Sequence, residues 1–209
     1  MDNDFRKYNN IILWLTKYKK QEIKSKTLDR TQFIEEMQKK SYVAILADVK
    51  VILVLSVSGI EADVAAFRKI YNSESHPHMI FVTKRVFTSS IGKAKLEMKS
   101  HIENLRHMDF ACEKPNGPLC PTHIVMSEAE VKDFCDFHHT KPSDYPPISI
   151  YDPQCMWANV KTGDLVKIIR IENNSAGETC TYRFVTRRTF NMTGKKEKLI
   201  NVNDDDPDS

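Results

Sequence analysis

Lys161-Thr-Gly-Asp-Leu-Val-Lys-Ile-Ile-Arg170 is the stretch that decides the fold of the C-terminal part of the chain. Its Gly163-Asp164 pair predicts a turn, and the β-branched run that follows the turn predicts a strand. After a loop rich in Asn and Gly, residues that tolerate a positive φ, Thr179-Cys-Thr-Tyr-Arg-Phe-Val185 predicts a second strand. The two strands together predict a β-hairpin.

Two helix starts precede this hairpin. Ser127-Glu-Ala-Glu130 is a capping box, in which each of the two end side chains accepts a hydrogen bond from the other residue's backbone N–H, and it predicts a helix through about His138. Asp152-Pro153 predicts a shorter helix, because aspartate is a good cap and proline needs no N–H in the first turn. These signals are local, and neither of them names a function by itself.

Three blocks in this order resemble the C-terminal assembly domain of the fifth subunit shared by eukaryotic nuclear RNA polymerases, a family that includes a small archaeal polymerase subunit. The blocks are Pro121-Thr-His-Ile-Val-Met-Ser-Glu-Ala-Glu-Val131, Ile148-Ser-Ile-Tyr-Asp-Pro-Gln154 and the hairpin. The first block matches the family's Pro-x-His-x-x-Met-Ser/Thr-x-x-Glu pattern. The resemblance implies a non-catalytic subunit of a multisubunit DNA-directed RNA polymerase.

The chain departs from the family pattern in two places. Gln154-Cys-Met-Trp-Ala-Asn159 replaces the family's usual Ala-Arg/Lys-Tyr-x-Gly segment. Because asparagine is the next best residue after glycine at a positive φ, we expect the turn at Asn159 to be kept. Family members usually end just after the second hairpin strand, whereas this chain continues from Thr186 to Ser209. This divergence predicts a homologue from a large DNA virus that encodes its own polymerase.

The N-terminal part of the chain predicts a mixed sheet flanked by helices. Tyr8, Ile11 and Leu15 recur at helical spacing and predict an amphipathic first helix, and a second helix is expected to begin near Thr27 or Asp29. Strands are predicted over residues 42–47, 51–57, 79–83 and 108–112, and helices over residues 59–72 and 89–106. This order is similar to the family's jaw domain, whose fold resembles a restriction endonuclease without its catalysis. The fold class expected for the whole chain is α+β.

Pro115-Asn-Gly-Pro118 is the strongest interruption of these patterns and predicts the domain boundary. We therefore expect a jaw domain over residues 1–114. A small mixed α/β assembly domain with the C-terminal hairpin is expected over residues 115–186. Residues 187–209, which end in an aspartate-rich run, are predicted to be a partly disordered extension.

Composition excludes several classes of protein. The chain has 209 residues, of which 41% are hydrophobic, and a net charge of +3. It contains no membrane-spanning apolar run and no signal peptide, so a soluble intracellular protein with no membrane partner is expected. The five cysteines never form Cys-x-x-Cys, so neither a disulfide framework nor a zinc ribbon is predicted. The pairs His76/His78 and His138/His139 lack further ligands at suitable spacing, so no metal or other cofactor is predicted.

The resemblance also implies a contact with downstream duplex DNA. In the family, a Thr-Pro-Ser-Ala-like turn after the third strand approaches the duplex, and the equivalent place here is Thr88-Ser-Ser-Ile91. Hydroxyls and free N–H groups at a helix N-terminus suit phosphate oxygens, and basic neighbours add positive charge. The predicted DNA-contacting residues are Lys84, Arg85, Thr88, Ser89, Ser90 and Lys93. The alternative is that Ser89 is only a helix cap and the lysines form a solvated face.

The hairpin is the predicted docking element, because its basic residues alternate with apolar residues that so small a domain cannot all cover. An apolar centre with an arginine anchor is the expected form of such an interface. The predicted interface residues are Asp152, Pro153, Lys167, Ile168, Arg170, Tyr182 and Arg183. The resemblance implies that the partners are the largest polymerase subunit and neighbouring small subunits. The complex is expected in the nucleus if the chain is cellular, or in the host cytoplasm and the virion if it is viral.

Two other functions stay open at this point. Asp48-x-Lys50 at a strand end, with Asp29, Glu35 and Glu36 upstream, imitates the arrangement by which nucleases of the restriction-endonuclease fold hold a metal ion and activate water. A metal-dependent nuclease that uses Asp48 and Lys50 is therefore one alternative. A free-standing DNA-binding adaptor is the other. No catalytic residue is assigned under the polymerase-subunit hypothesis.

Overall fold

A computed structural model describes residues 2–55, 60, 62–116, 120–171 and 177–187. The chain forms two compact units, Met1–Cys120 and Pro121–Ser209. Each unit combines helices with a mixed four-stranded sheet, so the predicted α+β class is confirmed. The hairpin loop at residues 172–176 and the extension from residue 188 lie outside the described residues. The domain boundaries drawn from the sequence stay predictions.

Five helical segments and four strands make up the described part of the first unit, with two 3-10 turns at its end. They are helix α1 (Asp2–Leu13), which continues as a π-helix (Trp14–Tyr18), helix α2 (Arg30–Lys40), strands β1 (Tyr42–Leu46) and β2 (Lys50–Val54), helix α3 (Val64–Glu74), strand β3 (His78–Thr83), helix α4 (Ser89–Leu96), strand β4 (His101–Arg106) and the 3-10 helices His107–Phe110 and Lys114–Asn116.

The sheet of this unit has the strand order β1-β2-β3-β4. β1 pairs with β2 antiparallel, whereas β3 pairs parallel with both β2 and β4. β2 carries apolar residues on both faces, which is typical of a central strand, and Ile52 and Leu53 within it are fully buried. Phe67 of α3 and Ile91 of α4 belong to the same core as Ile52. Two helices therefore cover one face of the sheet.

The helix predicted over residues 89–106 is wrong in its second half. α4 ends at Leu96, residues 101–106 form β4, and the strand predicted over residues 108–112 is replaced by a 3-10 helix. The segment is rich in helix formers and contains no proline, so local propensity favours a helix throughout. The open edge of β3 overrides this preference, because pairing with β4 satisfies its backbone groups and buries Ile102 at 1% exposure.

Aspartate caps locate two other helix starts. Asp29 accepts a hydrogen bond from the backbone of Gln32 and forms a complete capping box, so the start predicted near Thr27 or Asp29 is confirmed. Asp63 accepts hydrogen bonds from two backbone N–H groups and caps α3. The helix predicted from residue 59 therefore begins only at Val64.

The described part of the second unit contains four strands, two α-helices and one 3-10 turn. They are strand β5 (Thr122–Val125), helix α5 (Glu128–His138), a 3-10 helix (Pro142–Asp144), strand β6 (Pro147–Ser149), helix α6 (Pro153–Ala158) and strands β7 (Leu165–Ile171) and β8 (Glu178–Thr186). The strand order is β5-β7-β8-β6. None of the helices described in either unit is long and apolar enough to cross a membrane.

The local predictions for this unit are confirmed. β7 and β8 form the predicted antiparallel hairpin. Ser127 and Glu130 form the predicted capping box of α5, and Asp152 accepts a hydrogen bond from the backbone of Gln154 at the start of α6. Asn159 ends α6 with a φ of 59°, which is the positive value expected where the family has glycine.

The cysteines of the chain are all free. Cys155 of α6 is fully buried in the core of the second unit, together with Val166 and Val185. Burial raises the pKa of the Cys155 thiol to about 12, and the negative charge of Asp152 adds to this effect. Such a thiol stays protonated at neutral pH, so it packs as a small apolar side chain.

An ion pair ties β2 to the end of α3 in the first unit. Lys50 Nζ lies 2.6 Å from Glu74 Oε2, and the Tyr42 hydroxyl donates a hydrogen bond of 2.9 Å to Glu74 Oε1. The two charged side chains are 18% and 14% exposed. Burial alone would raise the pKa of Glu74, but the hydrogen bonds and the charge of Lys50 outweigh it and hold this pKa below its usual value.

Replacing Glu74 by glutamine should destabilise the first unit by about 1–3 kcal/mol at pH 7. A carboxylate whose pKa is lowered by folding stabilises the fold above the unfolded pKa, near 4.5, and this contribution is lost as the pH falls through the folded value. Urea unfolding followed by Trp14 fluorescence, with Trp157→Phe in all variants, should therefore show a shallower loss of stability in acid for Glu74→Gln.

Glu35→Gln is the control for this measurement, since Glu35 is an exposed glutamate of α2. It should leave both the stability at pH 7 and its acid dependence unchanged. If Glu74→Gln and its parent lost stability in parallel between pH 7 and acid, the ion pair would contribute nothing to folding.

Candidate functional site

The six predicted DNA-contacting residues lie on one continuous segment at the amino end of α4. Lys84 and Arg85 belong to the turn that leaves β3, Thr88 precedes the helix, Ser89 and Ser90 open it, and Lys93 lies one turn further on. All six are exposed. The first turn of α4 contains no acidic residue. The positive end of the helix dipole and three basic side chains therefore share one stretch of surface.

Thr88 occupies the N-cap position of α4, so the cap predicted at Ser89 is wrong by one residue. The alternative that the lysines form a solvated face stays open. The backbone carbonyl of Thr88 accepts the first helical hydrogen bond, from Gly92 N at 2.9 Å. The Thr88 side chain makes no capping hydrogen bond. N–H groups in the first turn of a helix have no partner within the helix, so a phosphate oxygen is a suitable acceptor for them.

Asn104 of β4 holds the turn that leads to this helix, a role that no local pattern in the sequence indicates. Its Nδ2 donates to the Phe81 carbonyl at 3.1 Å and to Thr83 Oγ1 at 2.8 Å, and its Oδ1 accepts from Phe87 N at 2.8 Å. The Thr83 hydroxyl in turn donates to the Arg85 carbonyl at 2.6 Å. We call this set of hydrogen bonds the Asn104 clamp. The wrong helix assignment hid it, since the clamp requires Asn104 on a strand beside β3.

Replacing Asn104 by alanine should loosen the turn at residues 84–88 while the sheet stays folded. The change removes the acceptor of the Phe87 N–H, and such a loss in a partly buried place costs about 1–3 kcal/mol. Amide hydrogen exchange should be faster at Phe87 in Asn104→Ala. Asn10→Ala, which removes a single 2.8 Å hydrogen bond to the Phe110 carbonyl, should leave Phe87 unaffected. Equal protection of Phe87 in both variants would contradict the clamp.

The predicted docking residues of the hairpin lie on two opposite faces. Lys167 is paired with Tyr182, and directly opposed residues share a face, so these two lie together. Ile168, Arg170 and Arg183 lie on the other face by the same register. The structure therefore does not bring the predicted set together into one surface.

Each face of the hairpin is partly covered by a helix of the same unit. Phe134 of α5 packs on Tyr182 with 4.2 Å between ring centroids. On the opposite face, Ile168 is only 4% exposed and packs in the core with Cys155 of α6. Arg170 on that face is exposed and Arg183 is half-buried. These two arginines, and not Ile168, are the predicted residues of this face that a partner can reach.

Asp152 and Pro153 lie at the start of α6, where both are half-buried. Asp152 is engaged as the cap of α6, since its side chain accepts from Gln154 N at 2.9 Å. Pro153 is the first residue of the helix. Both have a local structural role, and their part in an interface stays a prediction.

The residues of the nuclease alternative are engaged elsewhere. Asp48 forms an exposed ion pair with Lys24 at 2.8 Å, and Lys50 is paired with Glu74. Asp29 caps α2. Within the described ranges, no group of His, Cys, Asp or Glu side chains placed to hold a metal ion includes Asp48 or Asp29. The described geometry therefore does not assemble the metal site that this alternative requires.

Comparison with known proteins connects the second unit to transcription. Residues 116–185 match the family model described as "RNA polymerase Rpb5, C-terminal domain". The DNA-directed RNA polymerase subunit Rpo5 of Staphylothermus marinus is 38% identical over 90 residues, which are 42% of this chain and 97% of that protein. The Rpo5 subunit of Nitrosopumilus maritimus is 34% identical over 71 residues, which are 34% of this chain and 84% of that protein.

A third relative is also a DNA-directed RNA polymerase subunit Rpo5. The Rpo5 subunit of Methanosarcina barkeri is 37% identical over 65 residues, which are 31% of this chain and 82% of that protein. The alignments include 82–97% of each relative, whereas each of them includes less than half of this chain. More than half of this chain therefore lies outside each of these alignments.

Proposed function

This chain belongs to the family of RNA polymerase subunits that includes Rpb5 and Rpo5, and we propose that it is a non-catalytic subunit of a multisubunit DNA-directed RNA polymerase. The observation that carries the proposal is the match over residues 116–185, which extends through β5, α5, α6 and the hairpin. The ion pairs of Asp48 and Lys50 support a non-catalytic role, because they separate the two residues that a nuclease of this type would use together.

The second unit is proposed to dock on the largest polymerase subunit and its small neighbours. Arg170 is the strongest candidate contact, because it is exposed at the far end of β7 and lies beside the buried Ile168 on the same face. A planar guanidinium can bind a partner's carboxylate or carbonyl oxygens in two places at once. Arginine is also enriched among the residues that dominate binding at interfaces.

Arg170→Glu should release the subunit from the polymerase, because it places a negative charge where the partner is expected to accept hydrogen bonds. The measurement is the yield of polymerase subunits that co-purify with the tagged variant, in which the hairpin stays folded by circular dichroism. We expect a loss of at least about tenfold, since a key interface arginine contributes about 2 kcal/mol or more.

Lys132→Glu is the matched control, because Lys132 is an exposed basic residue of α5 in the same unit. It changes the charge by the same amount and should co-purify like the parent chain. Full recovery of polymerase subunits with folded Arg170→Glu would show that this face of the hairpin does not dock.

The first unit is proposed to form part of the lower jaw that holds downstream duplex DNA. Three features support this role. They are the exposed basic and hydroxyl residues at the start of α4, the Thr88 side chain, which makes no capping hydrogen bond to the helix, and the Asn104 clamp that holds the turn in place. Contacts of this kind bind the phosphate backbone and do not read the base sequence.

Replacing Lys84, Arg85 and Lys93 together by alanine should weaken the hold on downstream DNA independently of sequence. A plot of the logarithm of complex stability against the logarithm of salt concentration has a negative slope, and each lost phosphate contact should make this slope shallower by about 0.9. The defect should therefore be largest at low salt. The measurement is the lifetime of the elongation complex across a salt series, with assembly checked by subunit composition.

The control replaces Lys26, Lys39 and Lys40, which are also exposed lysines of the first unit, by alanine. It removes the same formal charge away from α4, so it should leave the salt dependence close to that of the parent. Identical lifetimes for the α4 variant and the parent polymerase at every salt concentration would show that the segment is a solvated face.

The proposed site of action follows that of the polymerase. For a cellular chain this is the nucleus. For a viral homologue, which the departures from the family pattern predict, it is the host cytoplasm and the virion.

A further inference from the structure

We propose that His78, His101 and Glu103 form a binding site for one Zn²⁺ ion on the edge of the first unit's sheet. In the sequence, His78 has only His76 close to it among the histidines, which gives too few ligands for a site. Parallel pairing of β3 with β4 supplies the others, because His78 is the register partner of His101 and Glu103 follows two residues later on the same face.

The ligand atoms already converge on one point. Nε2 of His78 lies 3.1 Å from Glu103 Oε1, and Nε2 of His101 lies 3.2 Å from the same oxygen. All three possible ligand atoms lie within 4.8 Å of one another. A tetrahedral Zn²⁺ ion with bonds of about 2.0–2.1 Å holds neighbouring ligand atoms about 3.3 Å apart. Two of the three separations are therefore near the required value, and the third, between the two imidazole nitrogens, is at most 4.8 Å.

The chemistry of the donor set selects the kind of ion. Two imidazole nitrogens and one carboxylate oxygen are ligands that Zn²⁺ and neighbouring transition metals prefer, whereas Mg²⁺ and Ca²⁺ prefer oxygen ligands. The side chains of His78, His101 and Glu103 are 38%, 68% and 42% exposed. An ion bound there has an open side, on which water can complete the tetrahedron.

The surroundings limit the strength of this site. Burial lowers the pKa values of Lys19 and Lys95, and the negative charge of Glu103 offsets only part of this effect. Both ammonium groups therefore lie within electrostatic range of the Glu103 carboxylate. Their positive charge opposes a further cation. We therefore expect weaker binding than at a structural zinc site with four protein ligands. A bound ion would nevertheless tie the edge strand β4 to β3.

Isothermal titration of the untagged, chelator-treated full chain with ZnCl₂ tests the site directly. We expect one Zn²⁺ per chain, and at least about tenfold weaker binding after His78→Ala, His101→Ala or Glu103→Gln. Zn²⁺ should also raise the unfolding temperature of the parent chain but not that of Glu103→Gln. Glu103→Gln keeps the size of the side chain, so its result does not depend on a change of fold.

The double variant His138→Ala/His139→Ala is the control, since it removes two exposed histidines of the second unit. It should bind Zn²⁺ like the parent. Co²⁺ should give the intense visible absorption of a tetrahedral complex in the parent and this control but not in the ligand variants, and excess Mg²⁺ should not displace Zn²⁺. Three results would each overturn the proposal: no binding to the parent chain, binding by all three ligand variants that is as tight as binding by the parent, or loss of binding in the control alone.

Discussion

The parallel pairing of β4 with the open edge of β3 is the constraint on which the functional surface of the first unit depends. It ends α4 early and places Asn104 where its amide holds the turn before the helix. The same register brings His101 and Glu103 to His78 on the other face of the strand. One set of backbone hydrogen bonds therefore positions both the proposed phosphate contacts and the proposed zinc site.

The second unit depends on its hairpin in a comparable way. β7 lies between β5 and β8, and the two faces of the β7–β8 hairpin are partly covered by different helices of the same unit. On one of these faces, the buried Ile168 lies beside Arg170, which stays open to solvent. A rigid strand that presents an arginine beside a packed core offers a partner a preorganised contact, which reduces the entropy lost on binding.

Local signals in the sequence were sufficient wherever a few neighbouring residues determine the structure. The cap at Asp152, the capping box at Ser127, the positive φ of Asn159 and the hairpin were all predictable, because each depends on contacts within a few residues. β4 was not predictable in this way, since its residues favour a helix and only the edge of β3 makes them a strand.

The candidate sites were predictable to a similar extent. The exposed segment from Lys84 to Lys93 was found from the family resemblance, but the Asn104 clamp requires the sheet register. The face to which each hairpin residue belongs also requires the register, because a shift of one residue exchanges the two faces. The ion pair of Asp48 with Lys24 joins residues far apart in sequence, so the pattern Asp48-x-Lys50 could not show that its members are engaged separately.

Purification of the tagged full chain from its native source tests the central claim most directly. After a wash with high salt and nuclease, the proposed function predicts stoichiometric recovery of the two largest polymerase subunits, together with RNA synthesis on a DNA template. The nuclease treatment matters, because subunits that share only a DNA strand would separate. Recovery of the chain alone, or with partners that do not include the largest polymerase subunit, would contradict its assignment as a polymerase subunit.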